Sequence, residues 1–261
     1  MEGVGGGGLV GIVLVLTRVG TVFLLSPYSG LPFIPGMVRV SAALAVTGLL
    51  VIADPAARTA GALGPGPLGL GLLGEVAAGL LLVLGLGLTF YSAQLAGSVV
   101  DYQMGYGFAA VADPNQPSPT PMLGRFYYYT AMAVFLAMGG DRAFLATVWA
   151  SFRLMPPGGV LLGEHLPLAL GSRAAEALAL GVQLAAPVLA ALFLTDILLG
   201  TVARSMPQLN PFFIGMPVKA LAGLLVLGGA MPAVAAVLRG GFLRLTSSLV
   251  ELMSLVPPAI R

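Results

Sequence analysis

Six ionisable residues, Arg18, Glu75, Asp101, Glu176, Asp196 and Arg204, stand in or at the ends of long apolar stretches. Charges in such surroundings usually face protein or water and serve function or assembly. One chemistry open to them is proton relay. The other is an ion pair or hydrogen bond to a second helix or subunit. The polar residues are scattered and not clustered, which favours assembly. Asp196 and Arg204 are separated by about 12 Å along a helix rising roughly 1.5 Å per residue, too far to pair directly. Arg18, Glu75 and Asp196 are therefore expected to lack partners in a free monomer and to find them at subunit contacts, together with Asp101 and Arg204.

Other chemistries are poorly supplied. The chain has no Cys and a single His, which excludes a thiol nucleophile, a Cys-based zinc site and a multi-His metal cluster. His165 lies in a loop-like GEHLP stretch with no partner nearby in sequence. No carboxylate pair shows catalytic spacing. The G-x-G-x-x-G matches at 64–69 and 69–74 lack the strand and βαβ context of a dinucleotide fold. Lys219 is the only lysine, so this is no lysine-rich nucleic-acid binder. We expect no catalytic, cofactor or metal site, and no enzyme.

The elements that carry these charges are apolar. Of 261 residues, 58% are hydrophobic and 8% charged, against about 45–50% and about 25% in soluble domains. A bilayer-crossing helix needs about 20 mainly apolar residues. Six candidates follow, at 9–25, 38–53, 72–97, 126–149, 174–202 and 213–238. Helix is expected because lipid offers no partner for free backbone groups. The fold class is thus an all-α integral membrane protein of about six long helices, a single membrane-embedded domain over 1–261. The leader before the first segment has Glu2 and no basic residue, unlike a cleavable signal peptide. The distribution of Arg and Lys favours both termini on the cytoplasmic side.

Gly and Pro punctuate the segments. Residues 113–121 read DPNQPSPTP, and 204–219 read RSMPQLNPFFIGMPVK. Pro207, Pro211 and Pro217 are expected to hold that second stretch out of regular helix, with Gln208 and Asn210 offering amide groups to a subunit contact. The 37 glycines suit close helix packing. Ala93 and Gly97, four apart, share one helix face.

These motifs resemble the FliR/SctT family of type III protein export components. Arg18-Val19-Gly20, Pro27, Pro35 and Arg39 fit the start of the family pattern. Ala96-Gly97, Asp101, Gln103-Met104-Gly105 and Asp113-Pro114 follow its AGxxxDxQMG…DP run. Leu123-Gly124, Phe135-Leu136, Ser151-Phe152 and Pro156 come next. The most specific stretch is Arg204, Pro207-Gln208, Asn210, Phe212, Gly215, Pro217 and Lys219. Two features depart from it: Gly140-Asp141 where many relatives carry Gly-His, and Pro211.

The resemblance implies a core subunit of a flagellar export gate in the bacterial inner membrane, at the flagellar basal body. It implies FliP-like and FliQ-like partners, with FlhB and FlhA joining, unfolded export substrates passing through, lipid around, and no nucleic acid. It also implies that some apolar segments are buried in neighbouring subunits instead of lipid. On the same resemblance, 101–121 is the loop that family members place in the pore as a plug. Its residue types suit that use. Gly105 and Gly107 permit sharp turns. Pro114, Pro117, Pro119 and Pro121 forbid helix. Met104, Tyr106 and Phe108 supply flexible and aromatic bulk, and Asp113 is the one charge past Met104. Composition alone favours an ordinary exposed connection. The alternative function is a small-solute or ion transporter or channel, with broken helices at 207–217 and Asp101 or Asp196 as ion sites.

Overall fold

The computed structural model describes residues 7–27, 34–53, 65–106, 121–158, 166–206 and 211–254. Among them are seven α-helices and no strand: α1 (Gly7–Leu25), α2 (Gly36–Ala53), α3 (Pro65–Met104), α4 (Met122–Ala137), α5 (Gly140–Leu154), α6 (Leu166–Ser205) and α7 (Pro211–Ser254). Five of them, α1, α2, α3, α6 and α7, are long and apolar enough to cross a membrane, and α4 with α5 would make a sixth span. This is an all-α integral membrane protein.

The continuous span expected at 126–149 is interrupted. Gly139 adopts φ 68°, a left-handed conformation that Gly reaches without Cβ strain. The chain then restarts as α5 with Asp141 in its first turn and Arg153 in its last. Both charges oppose the helix dipole favourably, which gives the Gly-Asp departure a local physical reason.

The expectation that Pro211 and Pro217 stay outside regular helix is also corrected. Pro211 opens α7 and Pro217 lies within it. The first helical position tolerates proline because its N–H would be orphaned anyway. Pro207, Gln208 and Asn210 lie outside the described residues.

The chain forms two compact units. One comprises 1–88, 139–174 and 243–261, the other 89–138 and 175–242. In the first, α1 packs on α2, and α5 buries Phe144, Thr147, Val148, Ser151 and Phe152 along one face, the i, i+3, i+4, i+7, i+8 stripe of an amphipathic helix. In the second, Phe90, Phe135 and Phe242 stack mutually at centroid distances of 5.1 to 5.4 Å. Hydroxyls along the apolar helices are satisfied locally: Thr17, Thr47, Thr147 and Thr195 each donate to the carbonyl four residues back, a bond that needs no water.

Glycine matters most where α3 meets the start of α4. A Cβ on Gly97 would collide with the carbonyl of Leu123 and the Cα of Gly124. Backbone cannot swing aside as a side chain can, so Gly97→Ala is expected to cost about 1–3 kcal/mol, the range for overpacking. Gly48, mid-helix in α2, has open space around it. Gly48→Ala is expected to be neutral or to gain about 0.5–1 kcal/mol. Thermal denaturation of both variants in detergent checks the contrast, and equal midpoints would refute the close-approach account.

Candidate functional site

Three polar constellations emerge, each inside one unit. The first surrounds Arg18. Its guanidinium donates from Nε to Glu75 Oε2 at 2.7 Å and from Nη2 to Glu75 Oε1 at 3.1 Å. It also reaches Ser151 Oγ at 3.2 Å and the Met155 carbonyl at 2.9 Å, and its Cζ lies 4.3 Å from the centroid of the Phe152 ring. Glu75 accepts a further bond from the Gly158 N–H at 2.9 Å. Arg18 and Glu75 are both fully enclosed.

This corrects the expectation that Arg18 and Glu75 lack partners within the chain. They satisfy each other, and they also serve the backbone where α5 ends. Met155 is the C-cap of α5, a place where carbonyls have no helical donor. The two-pronged fork of arginine suits that mixture of carboxylate and carbonyl acceptors. Ser151, Phe152, Met155 and Gly158 were not singled out as an Arg18 site, although Ser151-Phe152 stood among the family motifs.

The second constellation joins α3, α6 and α7. Asp196 pairs with Lys219 and accepts a hydrogen bond from Gln103 Nε2 at 3.1 Å. The expectation that Asp196 lacks an internal partner is corrected as well. The pair remains 23% and 35% exposed at Lys219 and Asp196, so it still offers charge to a neighbour. Arg204 is exposed in the last turn of α6, where a cation favours the helix C-terminus.

The third constellation is the root of the 105–121 connection. Helix α3 ends with Gly105 at φ 92°. The Tyr106 N–H bonds the Asp101 carbonyl at 3.1 Å and the Gly105 N–H bonds the Tyr102 carbonyl at 3.1 Å. These are the two bonds of a Schellman C-cap. Met104 is buried, and a Cβ on Gly223 would collide with its methyl group. Met104 is core of the second unit, packed against α7. Tyr106 stays 40% exposed. At the far end, Pro121 is the N-cap of α4 and provides no side-chain cap. The Asp101 carboxylate comes across from α3 instead, its Oδ2 accepting the Leu123 N–H at 3.3 Å in a buried bond. Gly107, Phe108, Asp113, Pro114 and Pro117 lie outside the described residues.

The family described as bacterial export proteins, family 1, matches residues 9–245. The chain belongs to this family. The chain is similar to flagellar biosynthetic protein FliR of Bacillus subtilis (strain 168), 32% identical over 166 residues, 62% of this chain and 64% of that protein. FliR of Caulobacter vibrioides is 30% identical over 230 residues, 86% and 89% of the two chains. The surface presentation of antigens protein SpaR of Shigella flexneri is 30% identical over 159 residues, 59% of each. The match to the Bacillus protein thus spans somewhat less than two thirds of its length. The FliR/SctT resemblance read from the motifs holds. Among the described residues no group of three or more His, Asp or Glu side chains is placed to hold a metal ion.

The Arg18 constellation generates a sharp expectation. Glu75→Ala leaves a buried guanidinium without its counter-ion, a change that typically costs about 3–5 kcal/mol. Replacing both, as Arg18→Met with Glu75→Leu, removes the uncompensated charge and is expected to cost less than Glu75→Ala alone. Thermal melting of the three proteins in detergent checks this. A double variant as damaged as Glu75→Ala, or more so, would show that the two side chains do not act as a pair.

Proposed function

We propose that this chain is a core subunit of a flagellar type III protein export gate, embedded as one FliR-like unit in the bacterial inner membrane. It helps to form and close the channel through which unfolded flagellar proteins leave the cell. The observation that carries this reading is the length of its apolar helices. Helices α3, α6 and α7 have 40, 40 and 44 residues, contour lengths of about 60 Å or more at roughly 1.5 Å per residue. A bilayer core is only about 30 Å thick. The chain itself encloses just 17 to 39% of each apolar window. Apolar surface beyond the reach of lipid calls for other protein.

The occupants of that surface, on this reading, are FliP-like and FliQ-like subunits, with FlhB and FlhA joining the assembly. We assign Gln208 and Asn210, together with Arg204 and Lys219, to one such contact. Relatives named for flagellar biosynthesis and relatives named for antigen presentation both match. The match over 86% of the chain to a flagellar protein favours the flagellar form. The transporter reading relied on helices broken at 207–217 and on Asp101 or Asp196 as ion sites; α7 runs from Pro211 through Pro217, and Asp196 is paired with Lys219.

Closure is assigned to the connection that starts at Gly105. It carries one charge, Asp113, and four prolines between 113 and 121, so filling a lumen costs little desolvation and little chain entropy.

Two outcomes test the proposal. The tagged chain should co-purify from membranes with several different membrane proteins; a monodisperse, protease-resistant monomer in detergent would count against it. Deleting residues 115–120, or replacing Phe108 with Ala, should leave the complex assembled and leaky to ions. Normal tightness at normal yield would place closure elsewhere.

A further inference from the structure

Three helices, α1, α2 and α5, lie wholly within the first unit, and only α5 exposes charge. Arg18 of α1 is enclosed and Arg39 of α2 is half-buried. The exposed large side chains of α1 and α2 are Leu, Ile, Val and Met throughout. These two helices have 19 and 18 residues, about 27–29 Å at roughly 1.5 Å per residue, close to the hydrocarbon thickness of a bilayer at about 30 Å. Helix α5 has 15 residues, about 22 Å, too short to cross by itself. It exposes Arg142 and Arg153. We propose that α5 lies in the headgroup region, and that its outward face, built from Arg142, Leu145, Trp149 and Arg153, is a binding site for anionic phospholipid. This rests on the membrane class of the chain and not on the gate reading.

The first support is placement. Arg142, Leu145, Trp149 and Arg153 are spaced as i, i+3, i+7 and i+11, one stripe of a helix. Arg142, Leu145 and Arg153 are exposed and Trp149 is half-buried. The opposite face is already employed. Phe144, Thr147, Val148, Ser151 and Phe152 are buried, and Arg18 holds that face through Ser151 Oγ and the Phe152 ring. The second support is unused binding capacity. Among the described residues neither the Arg142 nor the Arg153 side chain makes a hydrogen bond or an ion pair. Arg142 sits in the first turn, where the helix dipole disfavours a cation, so an anion from outside gains most there. A guanidinium fork matches phosphate oxygens in pairs, and the two forks stand about 16 Å apart along the axis.

The third support separates lipid from a protein partner. Leu145 and Trp149, the one tryptophan of the chain, put apolar bodies between the two charges. Indole rings favour the headgroup level, and a basic amphipathic helix of this make lies in the interface plane. Protein interfaces draw aromatic side chains to their surface, yet among the described residues of this unit no aromatic is exposed.

The experiment uses the membrane complex that carries the full chain, reconstituted into vesicles of phosphatidylcholine and phosphatidylglycerol. The chain has no Cys, and Ala146 is exposed beside the stripe, so Ala146→Cys takes a fluorophore at one place. The parent complex, treated identically, gives the background. Quenching is titrated with phosphatidylglycerol brominated in its acyl chains, and separately with equally brominated phosphatidylcholine. Half-quenching is expected at a roughly thirty-fold lower fraction of phosphatidylglycerol, about five-fold for each arginine beside an anionic surface. The preference is expected to shrink as salt rises. Arg142→Gln with Arg153→Gln is expected to bring the two half-points together. Arg142→Lys with Arg153→Lys is expected to stay within about five-fold of the parent, because the charge is kept. Sodium phosphate at matched ionic strength is expected to leave the preference in place, which distinguishes a headgroup from free phosphate.

Equal half-points for the two lipids in the parent overturn the proposal. So does quenching by neither lipid: access of iodide to the fluorophore then shows a face in water, and its exclusion shows a protein subunit over α5. A preference that survives in the glutamine pair overturns the assignment to Arg142 and Arg153. A preference abolished by phosphate at constant ionic strength shows a free-anion site and overturns the lipid. If the glutamine pair fails to assemble, the half-points of the parent and their salt dependence decide alone. A chain that purifies without partners sinks the gate reading and leaves the same titration to run on the chain itself.

Discussion

A helix that stops inside an apolar environment strands backbone N–H or C=O groups where no water can reach them. That constraint shapes both units of this protein. In each, a charged side chain from an apolar helix is spent on the end of another element. Arg18 and Glu75 serve the Met155 carbonyl and the Gly158 N–H as α5 closes. Asp101 serves the Leu123 N–H as α4 opens. Buried charge in these places does structural work that an exposed helix end leaves to solvent. The cost of enclosing the Arg18–Glu75 pair is offset because its remaining donors and acceptors are also filled, the condition under which a buried pair is tolerable.

Glycine is the complement of these charges. A capping side chain is short and must be brought close. Gly97 and Gly124 remove the volume that would keep α3 and α4 apart, and Gly79 does the same where a Cβ would press Thr21 of α1. Many other glycines, Gly8, Gly20 and Gly48 among them, face open space. Glycine density therefore marks close approach only where a particular backbone or side chain stands opposite, and the rest of the usage follows from a chain made of small apolar residues.

This explains which features the sequence could reveal. Apolar runs of helical length are a local signal, so the long helices and the membrane class were legible. The family motif AGxxxDxQMG marked Gly97, Asp101 and Gly105 as a group, and four-residue spacing placed the first two on one face. Their partners were not legible. Leu123 lies 22 residues beyond Asp101 and Glu75 lies 57 beyond Arg18, distances at which periodicity is silent. The expectation of unpaired charges failed for that reason: a bond to a second helix was open to each charge, but spacing along the chain cannot name its partner. Proline misled in the second half because its effect depends on position: Pro211 sits where a helix accepts it, and Pro217 falls inside α7. Conversely, the Gly139-Gly140 step that interrupts the fourth apolar run breaks no hydropathy pattern. It breaks only the backbone conformation, which an apolarity count does not register.

The charges also divide by exposure, and the division sorts their roles. Arg18, Glu75 and Asp101 are enclosed by this chain and act on its own backbone. Asp196, Lys219 and Arg204 remain partly or fully exposed beside the stretch richest in family-specific residues. A half-exposed ion pair contributes little to the stability of the chain that carries it. Complementary charge at a surface directs which partner fits and in what register. The apolar faces of α3, α6 and α7 supply area without discrimination, since any apolar helix can cover them. On the gate reading proposed above, polar groups at the end of α6 and the start of α7 would add the discrimination that those faces lack. The same logic applies within the chain at Asp101. Apolar packing brings α3 and α4 together, and one directional bond fixes which turn of α4 meets which turn of α3.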